Sequence, residues 1–175
     1  GGSTLEFSSI VEKYYSIEHN EEWYNNVSSE LKHRILNDVT YKLVKQNKEN
    51  LGTGQSEYHM FKDYIDEVDN FNTKFDVVLI DGRARRLCAK KIIPYLKKDA
   101  VVFIHDYVLR TPYWVVEDYF ELIDSVTDTN QTIGKFKLKE TFEPNAYDLN
   151  LNGFDRLSPN INWTDQMSRN LKRKI

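Results

Sequence analysis

The stretch Phe75-Asp76-Val77-Val78-Leu79-Ile80-Asp81-Gly82 decides the fold. Its residues up to Ile80 are almost continuously apolar, which is typical of a strand buried on both faces of a parallel sheet. A second run, Ala100-Val101-Val102-Phe103-Ile104, has the same character and ends in His105-Asp106-Tyr107. The two runs predict parallel strands that stop at polar residues, and therefore an α/β protein.

Helical and strand patterns alternate on either side of these runs. Apolar residues at spacings of three and four predict one helix beginning near Ser56 and others over 3–11, 22–36, 85–96 and 113–123. Short apolar or alternating segments predict further strands over 14–18, 39–44, 123–128 and 134–138. This order predicts a Rossmann-like, doubly wound, mostly parallel sheet that ends in a C-terminal antiparallel hairpin.

Length and composition fit one domain. The chain has 175 residues, of which 40% are hydrophobic, so we expect a single domain over 1–140. Beyond about Thr141 the periodicity is lost and Asn, Asp and Pro accumulate, which predicts an appended extension or tail over 141–175.

Charge and cysteine usage limit the partners and the compartment. The formal net charge of −3 gives no overall basic surface, so we expect no nucleic-acid partner and interpret the basic run 169–174 as a solvated chain end. The single cysteine, Cys88, excludes an internal disulfide and favours the cytoplasm or another reducing compartment. No apolar run approaches the roughly 20 residues that a membrane span needs.

Polar residues at the strand ends are the candidate ligand contacts, because open parallel sheets bind ligands outside the carboxyl ends of their strands. Glu18 ends the strand 14–18, and its two carboxylate oxygens match the vicinal hydroxyls of a ribose. The alternative for Glu18 is an interaction with the free amides of the helix that opens near Asn20. Gly1-Gly2, just before the first helix, is either half of a glycine-rich loop or the remnant of a cleaved fusion.

Asp81, His105 and Asp106 follow the two apolar strands and should lie side by side. Two carboxylates and an imidazole can hold a divalent cation or supply a general base. The structural alternatives are a helix-capping role for Asp81 and a satisfied polar pair for His105-Asp106.

Three arginines follow Asp81 in the first turn of the next helix. Arg83, Arg85 and Arg86 could hold an anionic or polyhydroxylated substrate through fork-like hydrogen bonds. We expect two of them to be solvated and retain Arg83 or Arg86 as the substrate contact.

Four segments of the chain resemble class I S-adenosylmethionine (SAM)-dependent methyltransferases, and the resemblance covers about residues 1–138. The segments are Gly1-Gly2-Ser3-Thr4-Leu5-Glu6-Phe7-Ser8, Tyr15-Ser16-Ile17-Glu18-His19-Asn20-Glu21-Glu22-Trp23-Tyr24, Asp76-Val77-Val78-Leu79-Ile80-Asp81-Gly82-Arg83 and Ile104-His105-Asp106-Tyr107. Within that superfamily the chain looks closest to the sugar- and polysaccharide-directed O-methyltransferases.

The resemblance implies a set of cofactor and substrate contacts. Gly1, Gly2, Ser3 and Thr4 would be the far half of the glycine-rich loop around the methionine part of SAM. Further SAM contacts would come from Glu18, on the ribose hydroxyls, and from His19, Asp81 and Gly82. Arg83, Arg86 and Tyr107 would contact the acceptor, and Asp81, His105 and Asp106 would hold a divalent cation, Mg or Mn.

The chain also departs from the pattern of these methyltransferases. His105 replaces the first aspartate of an Asp-Asp-Tyr motif, and Arg83 stands where a second aspartate is proposed as the base. The first strand of the family and the acidic residue before its glycine loop have no counterpart, so we expect further sequence upstream, with further domains as one option.

These observations favour methyl transfer from SAM to a hydroxyl of a small molecule, sugar or glycan. Asp81, Asp106 or His105 would remove the hydroxyl proton directly or through a bound cation. The main alternative is a catalytically idle methyltransferase-like module for glycan binding or assembly. An NAD-dependent dehydrogenase shares the sheet, but it needs a full glycine fingerprint and gives no role to His105-Asp106.

Overall fold

A computed structural model of the chain describes residues 2–34, 38–47, 57–107, 111–128 and 131–142. The helices are α1 (Gly2–Phe7), α2 (Glu21–Leu31), α3 (Glu57–Asp66) and α4 (Arg85–Lys91), with 3₁₀ helices over Glu67–Phe71, Ile93–Tyr95 and Thr111–Asp118. The strands are β1 (Lys13–Glu18), β2 (Asp38–Leu43), β3 (Phe75–Ile80), β4 (Leu96–His105), β5 (Phe120–Asp128) and β6 (Gln131–Leu138).

The described strands form two hydrogen-bonded sheets. β1 and β2 pair in parallel, and the second sheet has the order β3-β4-β6-β5. β3 and β4 are parallel, whereas β6 runs antiparallel to both β4 and β5. The predicted mixed α/β class, the parallel pairings and the C-terminal hairpin are confirmed. The single continuous sheet that the sequence predicts is not observed, because β1 and β3 are not hydrogen-bonded to each other.

Side chains on opposite faces of β1 contact different helical segments. The Tyr15 ring contacts Phe71, of the 3₁₀ helix before β3, and Phe75, with ring centroids 4.9 and 5.7 Å away. The next residue, Ser16, shares a hydrogen bond with Thr4 of α1. Because successive strand residues point to opposite faces, helical segments contact both faces of β1.

The main core lies between β4, β5 and β6 and the helices beside them. Val102, Ile104, Phe120 and Phe136 are fully buried there. Side-chain burial alternates along the second half of β4. Ala100, Val102 and Ile104 are buried and the residues between them are less so, as expected for a strand with one face in the core. This packing fixes the end of β4, and with it the backbone position of His105.

The prediction that β3 is buried on both faces is wrong. Val77 and Leu79 are 62% and 36% exposed, whereas Ile80 packs into the core. Among the described strands β3 pairs with β4 alone, so its other edge and one of its faces lack a described covering element.

Several predicted helices are shorter than the patterns indicate. The helix predicted over 85–96 ends at Lys91, and Leu96 already belongs to β4. The segment predicted as a helix over 113–123 is a short 3₁₀ helix followed by β5, whose first residue, Phe120, is fully buried. α2 ends at Leu31 instead of continuing to 36.

Part of the predicted organisation falls outside the described residues. This applies to residue 1, to 35–37, to most of the predicted loop 45–55, and to 143–175 with its basic run. Within the described ranges, no helix is long and apolar enough to cross a membrane.

Candidate functional site

The carboxyl ends of β1 and β3 meet at the side chain of Tyr64 on α3. The ring of His19, directly after β1, lies 5.9 Å from the Tyr64 ring in an edge-to-face arrangement. At the β3 end, a Cβ on Gly82 would overlap the Tyr64 hydroxyl, so this close approach requires glycine. Burial raises the pKa of Tyr64 although the backbone of Arg83 forms a hydrogen bond with it. Tyr64 is therefore a neutral, half-buried wall between the two strand ends.

Glu18, the last residue of β1, is held by the backbone that follows it. Its Oε1 accepts hydrogen bonds from the N–H groups of His19 and Asn20, both at 2.8 Å, and lies 3.1 Å from His19 Nδ1. Burial pushes the pKa of Glu18 upward, but the hydrogen bonds from His19 and Asn20 outweigh it and leave the pKa below its usual value. The carboxylate is therefore ionised at neutral pH, and its donors are the N–H groups of the two residues before α2, not the free amides of the helix itself.

Asp81 and His105 come together at the ends of β3 and β4, as the parallel pairing of these strands requires. Asp81 Oδ1 lies 3.0 Å from His105 Nδ1, and Asp106 Oδ1 lies 3.4 Å from the same nitrogen. His105 Nδ1 is buried, and no described group meets it in the direction of a hydrogen bond. Both carboxylates therefore lie beside Nδ1 of the ring, within reach of a hydrogen bond whose geometry is not formed here.

The guanidinium of Arg85 joins the ends of β3 and β4. Nε donates to the Gly82 carbonyl at 3.0 Å, and Nη1 donates to the His105 carbonyl at 2.6 Å and to Asp106 Oδ2 at 3.1 Å. Nη2 lies 3.6 Å from Asp81 Oδ1. With its side chain only 11% exposed, Arg85 is the central cation of the site.

Two loop residues next to these ends have left-handed backbones without being glycine. Ala84 has φ 49° and Asp106 has φ 59°. The Asp106 N–H donates to the Thr132 carbonyl on β6 at 2.5 Å, which ties the loop to the neighbouring strand. Residues other than glycine adopt this conformation at a cost of roughly 1–2 kcal/mol, so packing and pairing hold both turns in place.

The residues predicted to surround the methionine part of SAM lie in the first turn of α1. The side chain of Thr4 is buried, and its Oγ1 lies 2.9 Å from Ser16 Oγ. Ser3 and Thr4 also form side-chain hydrogen bonds with Tyr14, whose pKa burial nevertheless raises. The Thr4 hydroxyl is thus directed at β1 and not at an open loop, while Gly1 lies outside the described residues.

Two of the predicted acceptor contacts change with the structure. Tyr107 is 2% exposed, packs edge-to-face on Phe136 and forms a short hydrogen bond with Glu117. The prediction that Tyr107 contacts the substrate is therefore wrong, because its side chain packs in the core. Arg83 is exposed and Arg86 half-buried, and neither is the arginine between the two carboxylates. The sequence-based choice of Arg83 or Arg86 therefore left out Arg85.

The predicted divalent-cation site is not supported. In the ranges that the structure describes, no group of three His, Cys, Asp or Glu side chains is arranged to hold a metal ion. The physical reason is that the Arg85 guanidinium lies among the oxygens that Asp81 and Asp106 would offer. The predicted trio is nevertheless close together, since both carboxylates flank His105.

Sequence reasoning missed two residues of the site. Arg85 lies four residues after Asp81, a spacing that was available as a signal, but its stronger partner Asp106 is distant in sequence. Tyr64 carried no motif, and the only signal was its place in the apolar stripe of α3. Part of the site is therefore supplied by residues whose sequence pattern indicates ordinary helix packing.

The comparison with solved structures shows the fold. A crystal structure of a methyltransferase-like protein from Silicibacter pomeroyi superposes with a TM-score of 0.58 at 20% sequence identity, and the match covers 83% of this chain and 78% of that one. No protein-family model matches this chain, and no curated protein sequence is similar to it. The chain therefore has the fold of a methyltransferase-like protein.

Proposed function

We propose that this chain is a SAM-dependent methyltransferase that acts on a hydroxyl group, on a sugar or glycan. The observation that carries the proposal is the 3.0 Å approach of Asp81 Oδ1 to His105 Nδ1. We infer that this approach would become a hydrogen bond from Nδ1–H to Asp81 when ligands bind, which would leave Nε2 as the nitrogen of a general base. The methyltransferase-like fold supports the choice of reaction class.

The proposed reaction needs one base and one fixed geometry. SAM supplies a methyl group on a positively charged sulfur. His105 Nε2 would accept the hydroxyl proton as the acceptor oxygen took the methyl group, and the electron pair of the broken carbon–sulfur bond would stay on sulfur. Aligning the oxygen about 3 Å from the methyl carbon and opposite the sulfur recovers much of the entropy cost of a bimolecular reaction. Asp81 stabilises the imidazolium that results.

Glu18 is proposed to bind the ribose hydroxyls of SAM. Its carboxylate is 14% exposed and has a lowered pKa, so it is an ionised acceptor at the end of β1 next to the Tyr64 wall. His19 lines the same end through its contact with Tyr64. The space that a side chain on Gly82 would take is filled by Tyr64, so Gly82 serves the contact between α3 and the β3 end.

The acceptor class rests on the surroundings of the proposed base. Arg83 is exposed and comes two residues after Asp81, and a guanidinium offers several donors to hydroxyl or anionic groups. This supports a polyhydroxylated or acidic acceptor over an apolar one. Arg86 remains a second proposed contact on the same turn.

Calorimetric titration of S-adenosylhomocysteine, the demethylated product, tests the ribose assignment. We expect Glu18→Gln to weaken binding at least tenfold because it removes the charge while keeping the shape. Glu22→Gln, at an exposed position on α2, is the matched control and should bind like the wild type. Equal affinity of the wild type and Glu18→Gln would reject the role of Glu18.

An idle methyltransferase-like module is the second candidate, and the internal use of the Ser3 and Thr4 hydroxyls favours it. Transfer of a radiolabelled methyl group from SAM to a panel of sugars and glycans separates the two. The enzyme hypothesis predicts transfer that His105→Gln lowers by about 10²–10⁴-fold, the usual contribution of a general base. Full turnover in Asp81→Asn and His105→Gln would place the chemistry elsewhere, and no transfer by the wild type would favour the idle module.

A further inference from the structure

Oxygen atoms from two strand ends surround the Arg85 guanidinium. The carbonyls of Gly82 and His105 accept hydrogen bonds from it, and the carboxylates of Asp81 and Asp106 lie 3.6 and 3.1 Å away. Carboxylates together with backbone carbonyls are the ligand types that proteins use for Mg²⁺ and Ca²⁺. The donor set thus resembles that of a cation site, but its centre is a side chain of the protein.

We propose that Arg85 is the resident cation of this site and takes the place of a divalent metal ion. The guanidinium compensates the charges of Asp81 and Asp106 and holds the β3 and β4 ends in one geometry. This role of Arg85 does not depend on methyl transfer, so it can be tested separately from the proposed function.

The position of Arg85 explains why a metal ion would not displace it. Its side chain is 11% exposed, and the guanidinium carbon lies 5.8 Å from the centre of the Tyr113 ring, a cation–π contact. Arg85 also begins α4 directly after the left-handed Ala84, which is itself buried. Because a guanidinium does not lose its proton in a protein, a metal ion entering beside it would meet a permanent positive charge.

The two carboxylates also have different main partners in this arrangement. Asp106 has the closer contact with Arg85 and is 16% exposed, whereas Asp81 is 49% exposed and has the closer contact with His105 Nδ1. Arg85 therefore anchors Asp106 as a structural counter-ion and leaves Asp81 to orient His105. In this account Arg85 is a positioning residue.

Binding of Mn²⁺, followed by paramagnetic broadening of backbone amide signals in NMR spectra, tests the inference. In the wild type, equimolar Mn²⁺ should leave the Gly82 and Asp106 signals unchanged. Arg85→Gln opens the oxygen cage, and Mn²⁺ should then broaden both signals. Adding Asp106→Asn to Arg85→Gln should abolish that broadening. Arg83→Gln, which alters an exposed arginine nearby, is the matched control and should behave like the wild type.

Two results would overturn the inference. One is selective broadening at Gly82 and Asp106 in the wild type that Asp106→Asn removes, because a metal ion would then share the site with Arg85. The other is a folded Arg85→Gln protein in which Mn²⁺ broadens neither signal. If circular dichroism shows that Arg85→Gln does not fold, the wild-type titration decides alone. Failure of S-adenosylhomocysteine to bind would reject the proposed function and leave the role of Arg85 intact.

Discussion

The end of β1 and the ends of β3 and β4 hold their carboxylates in different ways. Glu18 is fixed by backbone N–H groups within the next two residues. Asp81 and Asp106 are fixed by the side chain of Arg85, which joins segments that are about twenty residues apart. The first arrangement is local and follows from the start of α2. The second exists only after β3, β4 and α4 have packed together.

This difference predicts which region depends more on a single side chain. Backbone donors at Glu18 remain in place after a substitution, whereas the loss of Arg85 leaves two carboxylates and two carbonyls without their shared donor. Substitutions in the β3–β4 region should therefore have the larger effects on stability, and those at β1 the smaller.

The largest expected effect is that of Arg85→Gln. Breaking a largely buried ion pair by removing one partner typically costs 3–5 kcal/mol, and partial exposure of Asp81 reduces this to about 3 kcal/mol. Urea denaturation at pH 7 measures the change in the free energy of unfolding. Arg83→Gln, on an exposed side chain, should stay within about 0.5 kcal/mol of the wild type. Equal effects of the two substitutions on the free energy of unfolding would show that Arg85 does not hold the two carboxylates together.

Gly82→Ala tests the contact at which the two regions meet. The new Cβ would overlap the Tyr64 hydroxyl, and overpacking of this kind costs typically about 1–3 kcal/mol. The cost should be smaller when the same substitution is made in a Tyr64→Phe background, because the overlapping hydroxyl is gone. A double-mutant cycle by thermal or urea unfolding measures this coupling, and strict additivity would show that Tyr64 does not approach Gly82.

Glu18→Gln should have a smaller effect that depends on pH. The folded-state pKa of Glu18 lies below its usual value of 4.5, so the stabilisation is present above that value and is lost as the pH falls through the lower folded-state pKa. At pH 7 we expect the variant to be less stable by on the order of 1 kcal/mol, as for loss of a capping carboxylate. The difference should shrink as the pH falls through the folded-state pKa of Glu18. A difference that grows on acidification would contradict the assigned hydrogen bonds.

The smallest expected effect is that of a substitution on the exposed face of β3. Val77→Thr, at a position that is 62% exposed, should change the unfolding free energy by about 0.5 kcal/mol or less. Val102→Ala in the fully buried part of β4 should cost about 2–3 kcal/mol. Similar losses at the two positions would mean that another element covers Val77 in solution.

The same division between local and distant contacts explains what the sequence could predict. The apolar runs before Asp81 and His105 predicted β3 and β4, and the residue order predicted that Glu18 lies at the end of β1. Arg85 was passed over because its strongest partner, Asp106, is reached only through the parallel pairing of β3 and β4. Exposure of Val77 was also beyond prediction, since an apolar run does not show which of its faces is covered.

Tyr107 illustrates the limit of a strand-end motif. The sequence places it directly after His105-Asp106, in line for the cleft, but the left-handed backbone at Asp106 turns the chain and Tyr107 packs against Phe136. Dihedral angles of this kind depend on tertiary contacts such as the hydrogen bond from Asp106 to Thr132. Motif positions at strand ends therefore indicate proximity to a site but not the direction of each side chain.

A crystal structure of the protein with S-adenosylhomocysteine tests the central claim most directly, namely that the ends of β1, β3 and β4 form one methyl-transfer site. We predict that the ribose hydroxyls lie within hydrogen-bonding distance of Glu18 and that the sulfur faces His105, with Arg85 still between Asp81 and Asp106. Ligand density away from Glu18 and His105, or no density when the crystals are saturated with ligand, would contradict the account.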